Sequence, residues 1–185
     1  MTRRYTSIIA FAAAAAAALP AGCQDDTRPP YVQGQWTVEY LGSQTTVTMI
    51  GDLAENRSGD YWGYCRAYER SGQKMISVLL ADQGFPSPVD EVWFTNLAWT
   101  EGSAGSVSCE GGQIEHNNHG SDDVSCSCPD GIGCCTVTVQ RGEGKHTAEI
   151  FFTCDEFDTR ESTGGVPNKM SILNGRMQIL NCSGF

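Results

Sequence analysis

Residues 34–50 read GQWTVEYLGSQTTVTMI, and this stretch decides the fold class. Trp36, Val38 and Tyr40 alternate with polar residues, which is the period-two pattern of a strand with one buried face. Leu41-Gly42-Ser43 has the composition of a tight turn, and residues 45–50 are rich in β-branched side chains. The stretch therefore predicts two antiparallel strands joined by a short turn.

The same pattern continues along the rest of the chain. Short segments rich in threonine, valine and aromatic residues alternate with glycine-containing turns, and no long apolar run at helical spacing follows the first 30 residues. Further strands are predicted at residues 61–68, 74–81, 91–99, 136–140, 147–154 and 176–182. We therefore expect residues 32–185 to form a single all-β domain, a disulfide-rich antiparallel β-sandwich, with an up-and-down β-barrel as the alternative.

The first 22 residues have the layout of a signal peptide. Arg3 and Arg4 precede an alanine-rich apolar run over residues 8–19, which is too short to span a bilayer comfortably, and small residues follow. The ending Ala21-Gly22-Cys23 resembles the lipobox of bacterial lipoproteins, although Pro20 stands where that motif has an aliphatic residue. The resemblance implies that the thiol of Cys23 receives diacylglycerol, in the manner of palmitate-bearing lipoproteins, and that Cys23 becomes the mature N-terminus.

The alternative is an ordinary secretory signal cut after Ala18 or Ala21, which would leave Cys23 as a reactive exported thiol. If Cys23 is lipidated, eight of the nine cysteines remain, an even number that suits an oxidising compartment. Residues 23–31 then form the lipidated N-terminus and a polar, proline-containing tether. Gln24 replaces the aspartate that retains enterobacterial lipoproteins in the inner membrane, so the resemblance favours the outer membrane of a Gram-negative bacterium.

The chain is strongly acidic. Its formal charge is −10, from 12 basic and 22 acidic residues. Residues 1–22 hold two of the basic residues and none of the acidic ones, so the mature chain carries −12. This charge argues against binding of nucleic acid and against electrostatic adhesion to anionic lipid. The expected partners are the lipid bilayer, through acyl chains, and an envelope or extracellular molecule that the sequence does not identify.

The remaining cysteines predict disulfides. They are Cys65, Cys109, Cys126, Cys128, Cys134, Cys135, Cys154 and Cys182. Residues 129–133 have turn composition and should bring Cys128 close to Cys134 or Cys135. Cys154 and Cys182 either tie the C-terminal sheet together or bond back to Cys65 and Cys109. A zinc or copper(I) thiolate cluster over residues 126–135 is the alternative.

Residues 115–123, EHNNHGSDD, are a second candidate for metal chemistry. His116 and His119 offer nitrogen donors, and Asp122 and Asp123 offer carboxylate oxygens, for zinc or calcium. The glycine and asparagines between them favour a loop, in which sequence spacing does not fix the ligand geometry. The alternative is a solvated acidic connection between two strands.

Catalytic and cofactor motifs are missing from the sequence. The run Gly102-Ser103-Ala104-Gly105-Ser106 does not give the Gly-x-Ser-x-Gly pattern. Acidic residues at 122–123 and 155–158 offer carboxylate pairs, as any acidic surface does. We therefore expect a protein that is not an enzyme and that holds no cofactor.

Two resemblances complete the sequence-based prediction. Gly34-Gln35-Trp36-Thr37, followed by Leu41-Gly42-Ser43, is similar to the first strand of avidin-like and lipocalin-like barrels, and implies that Trp36 closes a ligand cavity. The overall layout, with a signal, a tether and a compact β-domain ending at Asn181-Cys182, resembles cysteine-rich lipoproteins of Gram-negative bacteria, a class without an assigned activity. The favoured function is an envelope-anchored lipoprotein with a non-enzymatic binding or structural role. The alternative is a small-ligand carrier with a calycin-like barrel cavity.

Overall fold

A computed structural model describes residues 31–49, 61–82, 90–100, 106–117, 119–121, 124–126, 134–142 and 146–182. These residues form eleven β-strands: β1 (Tyr31–Tyr40), β2 (Ser43–Met49), β3 (Tyr61–Arg70), β4 (Gln73–Asp82), β5 (Asp90–Trp99), β6 (Ser106–Val107), β7 (Gly111–His116), β8 (His119–Ser121), β9 (Cys135–Arg141), β10 (Ala148–Thr163) and β11 (Val166–Leu180). None of the residues described belongs to a helix that is long and apolar enough to cross a membrane.

The strands form two antiparallel sheets. One has six strands in the order β2-β1-β11-β10-β9-β6, and the other has five in the order β3-β4-β5-β7-β8. The all-β class and the predicted disulfide-bonded sandwich are confirmed. The alternative barrel is wrong, because in the described chain the strands divide into two separate sheets, each with two edge strands.

Tight turns with positive φ angles set the hairpins. Leu41 and Gly42 have φ of 50° and 74°, and Ser71 and Gly72 have 54° and 78°. Two consecutive positive φ angles match the right-handed twist of the flanking strands, and a glycine at the second position avoids steric strain. The turn predicted at Leu41-Gly42-Ser43 is therefore confirmed, with Ser43 beginning the second strand.

The core fills the space between the sheets. Trp36, Phe94 and Phe152 are essentially inaccessible to solvent. Phe94 of the five-stranded sheet meets Phe152 of the six-stranded sheet edge to face, with the ring centroids 5.2 Å apart. The edge-to-face arrangement of the two rings contributes stabilisation in addition to that from the burial of their apolar area. Alternate strand residues thus point into one shared apolar core.

Three disulfides are seen among the described residues, and they are Cys65–Cys182, Cys109–Cys126 and Cys135–Cys154. The first joins β3 of one sheet to the chain just beyond β11 of the other, so Cys182 does bond to an early cysteine. Cys134 is disulfide-bonded as well, and Cys128 lies outside the described residues. The predicted option of a Cys128–Cys135 bridge is wrong, because Cys135 bonds Cys154. The other option, a bridge from Cys128 to Cys134, stays a prediction.

Candidate functional site

The outer face of the five-stranded sheet carries exposed aromatic side chains. Tyr64 on β3 pairs with Leu79 on β4, and Leu79 pairs with Trp93 on β5, so the three form one row across the strands. Residues directly opposite each other in antiparallel strands project from the same face. Tyr64 is 45% exposed and Trp93 is 39% exposed. Two large flat rings therefore face solvent on this sheet.

A polar row lies beside the aromatic row. Together the two rows line an open groove of about 440 Å³. We call it the aromatic groove, and it is formed by Tyr64, Arg66, Tyr68, Ser77, Leu79, Trp93, Thr95 and Asn96. Its lining combines flat apolar surfaces with polar groups, so it can offer a ligand both stacking surfaces and hydrogen bonds.

A β-bulge shapes the floor of this groove. Between Ile76 and Val78 the register shifts, because two residues of β5, Thr95 and Asn96, oppose the single Ser77 of β4. Asn96 has a φ of 54°, a left-handed conformation that asparagine tolerates better than most residues. Bulges of this kind redirect side chains and occur often beside binding sites.

Hydrogen bonds hold Asn96 in place. Its backbone N–H donates to Ser77 Oγ at 3.1 Å, and the Ser77 hydroxyl donates to Asn96 Oδ1 at 3.2 Å. The Tyr68 hydroxyl donates to the same amide oxygen, and Asn96 Nδ2 donates to Glu110. Glu110 also accepts from Arg70 Nη1 at 2.6 Å. Tyr68, Ser77 and Asn96 are therefore held in one hydrogen-bonded network on the floor of the groove.

Arg66 supplies the positive charge of the groove. Its guanidinium lies 5.4 Å from the centre of the Tyr68 ring, a distance at which the ring attracts the cation. A guanidinium has five N–H donors and no acceptor. The groove therefore offers a ligand one strong donor group next to the fixed hydroxyls.

The structure places His116 and His119 directly opposite each other at the end of the β7–β8 hairpin. His116 is buried, its Nδ1 lies 2.6 Å from Asp90 Oδ1 on the neighbouring β5, and its Nε2 lies 2.9 Å from Asn117 Nδ2. Asn117 adopts a φ of 53° in the turn. Glu115 and His116 are thus buried in β7 and do not belong to the solvated connection of the alternative prediction, whereas Asn117 is an exposed turn residue.

His119 has different surroundings. Its ring stacks on Tyr40 of the other sheet, with the centroids 4.8 Å apart, and its Nδ1 lies 3.3 Å from Glu161 Oε2. Asn168 Nδ2 donates to the Tyr40 hydroxyl at 2.9 Å. The two histidines therefore meet different carboxylates, although their backbones are paired.

The metal site predicted at His116, His119, Asp122 and Asp123 is only partly visible, because both aspartates lie outside the described residues. Within the part that is described, no group of three His, Cys, Asp or Glu side chains has an arrangement that holds a metal ion. Both ring nitrogens of His116 already contact protein groups. Metal binding at this hairpin stays a prediction.

The other predicted sites have simpler outcomes. Trp36 is completely buried between the sheets. It therefore does not line a ligand cavity of the kind that a barrel would have at its end. Cys23 lies outside the described residues, as do residues 102–105 of the serine-containing run. Cys126, Cys134 and Cys135 are disulfide-bonded, so they are not available as thiolate ligands of zinc or copper.

Comparisons of this chain with protein-family models, with curated proteins and with solved structures found no match. The function must therefore be inferred from the chemistry of the groove. The aromatic alternation of residues 61–68 is visible in the sequence, but it does not tell which face of β3 is buried. The signal that identifies the site is exposure of Tyr64 and Trp93 in neighbouring positions of one sheet face.

Proposed function

We propose that the protein is an envelope-anchored lipoprotein whose β-sandwich has a non-enzymatic binding role, and that the ligand is bound in the aromatic groove. The anchoring part is supported by the signal-like N-terminus and by the lipobox-like Ala21-Gly22-Cys23. The binding part is supported by the structure of the outer face of β3, β4 and β5.

One observation carries the binding role. Trp93 and Tyr64 present their rings to solvent beside a polar floor that hydrogen bonds and a β-bulge hold fixed. Single exposed apolar residues are common on protein surfaces, but a concave aromatic face with a fixed polar border marks a ligand site.

A small-ligand carrier of the calycin type is the weaker candidate. Such a carrier needs an apolar cavity inside a barrel. Here the large side chains Trp36, Phe94 and Phe152 fill the space between two sheets. The ligand is therefore expected on the surface of the sheet and not inside the domain.

Oxidative footprinting tests the binding role even while the ligand is unidentified. The oxidation rates of Trp93 and Tyr64 are compared between the native protein in intact cell envelopes and the mature protein purified in detergent. Leu173, which is 41% exposed on the opposite sheet, is the control. We expect both groove residues to be protected in envelopes while Leu173 is not. Equal oxidation in the two preparations would contradict a groove that is occupied in the cell.

A further inference from the structure

We propose that the ligand of the aromatic groove is a carbohydrate, an oligosaccharide chain of pyranose sugars that lies across strands β3, β4 and β5. This inference rests on the binding role proposed above and names the chemical class of its ligand. Three features of the groove support a sugar, and they are the spacing of its rings, its free hydrogen-bonding capacity and the charge of the chain.

The first feature is the spacing of Tyr64 and Trp93. They lie on the same row with one strand between them, so their backbones are about 10 Å apart, which is two inter-strand spacings. Each ring offers an electron-rich face on which the C–H groups of a pyranose can stack. Side chains carried by backbones at this separation would contact sugars that are not adjacent in the chain, so we expect a ligand that is longer than a disaccharide and runs perpendicular to the strands.

The second feature is the hydrogen-bonding capacity that the floor leaves unused. The hydroxyl protons of Tyr68, Ser77 and Thr95 are all donated within the protein, to Asn96 Oδ1 and to the carbonyl of Gly111. Each hydroxyl oxygen has two acceptor positions, so acceptor capacity remains along the groove, next to the donors of Arg66. A suitable ligand must bring both donors and acceptors, as sugar hydroxyls do.

This capacity also separates a sugar from a proline-rich peptide. Proline-rich segments bind aromatic-lined grooves as polyproline II helices. Proline has no N–H donor, so the prolines of such a peptide could not donate to the acceptor positions that remain on the hydroxyl oxygens of Tyr68, Ser77 and Thr95. The groove also lies on the face of the sheet. A peptide that adds a strand to a sheet binds at an edge, so it would not occupy the groove.

The third feature is the charge. Bases of single-stranded nucleic acid also stack on exposed aromatic rings, but such sites combine the rings with a basic surface. The formal charge of the chain is −10, and Arg70 beside the groove is paired with Glu110. A nucleic acid backbone would be repelled by the acidic chain, whereas a neutral sugar would not.

The test measures binding of the mature, detergent-solubilised protein to a printed panel of α- and β-linked glycans, followed by calorimetry with β-1,4-linked hexasaccharides of glucose and of N-acetylglucosamine. We expect Trp93→Ala to weaken sugar binding by about tenfold or more, and Tyr64→Ala by a similar factor, because each removes one stacking surface. Trp93→Phe should keep most of the affinity. Leu173→Ala, a matched exposed position on the other sheet, should bind as the wild type does.

Thermal unfolding of each variant verifies that the fold is retained, which is expected because Tyr64 and Trp93 are exposed. Sugar binding that is lost in Trp93→Ala and kept in Trp93→Phe supports the inference. If no glycan distinguishes wild type from Trp93→Ala, or if a proline decamer binds in place of the glycans, the carbohydrate class is wrong. Protection of Trp93 in cell envelopes would still stand in that case, so a failure of this inference can be told apart from a failure of the binding role.

Discussion

At the scale of single residues, one glycine controls packing at the centre of the six-stranded sheet. Gly175 on β11 lies between Trp36 of β1 and Phe152 of β10. A Cβ added at Gly175 would overlap the Phe152 ring, which is buried in the core. We therefore expect Gly175→Ala to lower the free energy of unfolding by about 1–3 kcal/mol, as overpacked cores do. Urea denaturation measures this loss.

A second glycine gives the matched control. At Gly111 the nearest atom to an added Cβ is Thr95 Oγ1 at 3.5 Å, an ordinary contact, so Gly111→Ala should change stability by less than about 1 kcal/mol. Phe152→Leu should also be less damaging in the Gly175→Ala background than alone, because the smaller side chain makes room for the methyl group. Equal losses for the two alanine variants would show that the ring does not restrict Gly175.

Asn96 carries a second prediction at this scale. Replacing it with alanine removes the side-chain hydrogen bonds to Tyr68, Ser77 and Glu110. It also forces alanine, whose side chain forms no hydrogen bond, into a left-handed backbone conformation. We expect Asn96→Ala to cost about 1–3 kcal/mol. Asn174→Ala, at an exposed residue of β11, should stay within about 0.5 kcal/mol of wild type. Similar losses at both positions, measured by urea denaturation, would contradict a special role of Asn96 in the floor.

Residue types alone identify none of the residues of the aromatic groove as a binding site. Alternation in the sequence predicts that Trp36 faces the core, and it is buried. The same alternation leaves open which ring of β3 or β5 faces solvent, because both faces of these strands carry apolar side chains, such as Val92 and Phe94 next to Trp93. The groove becomes visible only when the register aligns Tyr64 with Trp93 across β4.

At the scale of elements, the disulfides differ in the length of chain that they close. Cys65–Cys182 spans 117 residues, and Cys135–Cys154 spans 19. All four cysteines are buried, so replacing either pair with alanine removes similar packing. The chain-entropy model gives the longer loop about 1–2 kcal/mol more stabilisation. We therefore expect Cys65→Ala/Cys182→Ala to lower the free energy of unfolding more than Cys135→Ala/Cys154→Ala.

Guanidinium denaturation of the two double variants measures the difference. The location of the bridges adds to the argument from chain entropy, since Cys65–Cys182 connects the two sheets while Cys135–Cys154 joins neighbouring strands β9 and β10. A greater loss from the shorter bridge would show that local packing or residual structure in the unfolded chain, and not loop length, dominates.

The longest hairpin shows where the strand pattern in the sequence becomes too weak to follow. The sequence predicts strands at residues 147–154 and 176–182, but β10 extends to Thr163 and β11 starts at Val166. The added part alternates buried with exposed residues only weakly, with Phe157 and Met170 among many polar side chains. The many charged residues of this added part obscure the strand pattern in the sequence. Ion pairs such as that of Lys169 with Asp158 stabilise the pairing of the two strands. The hydrogen bond to Asp158 also raises the pKa of the Lys169 amine.

For the molecule as a whole, the local sequence pattern predicts which segments form strands better than it predicts how the strands are arranged in the two sheets. The hairpin of β1 and β2 is local, and the sequence predicts it. The pairing of β1 with β11 joins residues such as Tyr31 and Leu180 that are far apart in sequence. Nothing in the alternation of a strand identifies a distant partner, so the choice between a sandwich and a barrel needed the structure.

Attachment to the membrane is the last prediction, and it concerns the molecule as a whole. If Cys23 carries acyl chains, each buried methylene contributes about 0.8 kcal/mol to membrane binding, and several chains make attachment effectively permanent. The acidic mature chain has no electrostatic attraction to anionic lipid that would replace them. We therefore expect Cys23→Ser to release the protein to the soluble fraction or to stop its processing. By contrast, Pro20→Leu restores the aliphatic residue of the lipobox, so this variant should be processed faster and remain attached to the membrane. Radiolabelled palmitate and detergent phase partition measure both effects. Continued partition of Cys23→Ser into the detergent phase, without label, would mean that another part of the protein holds it at the membrane.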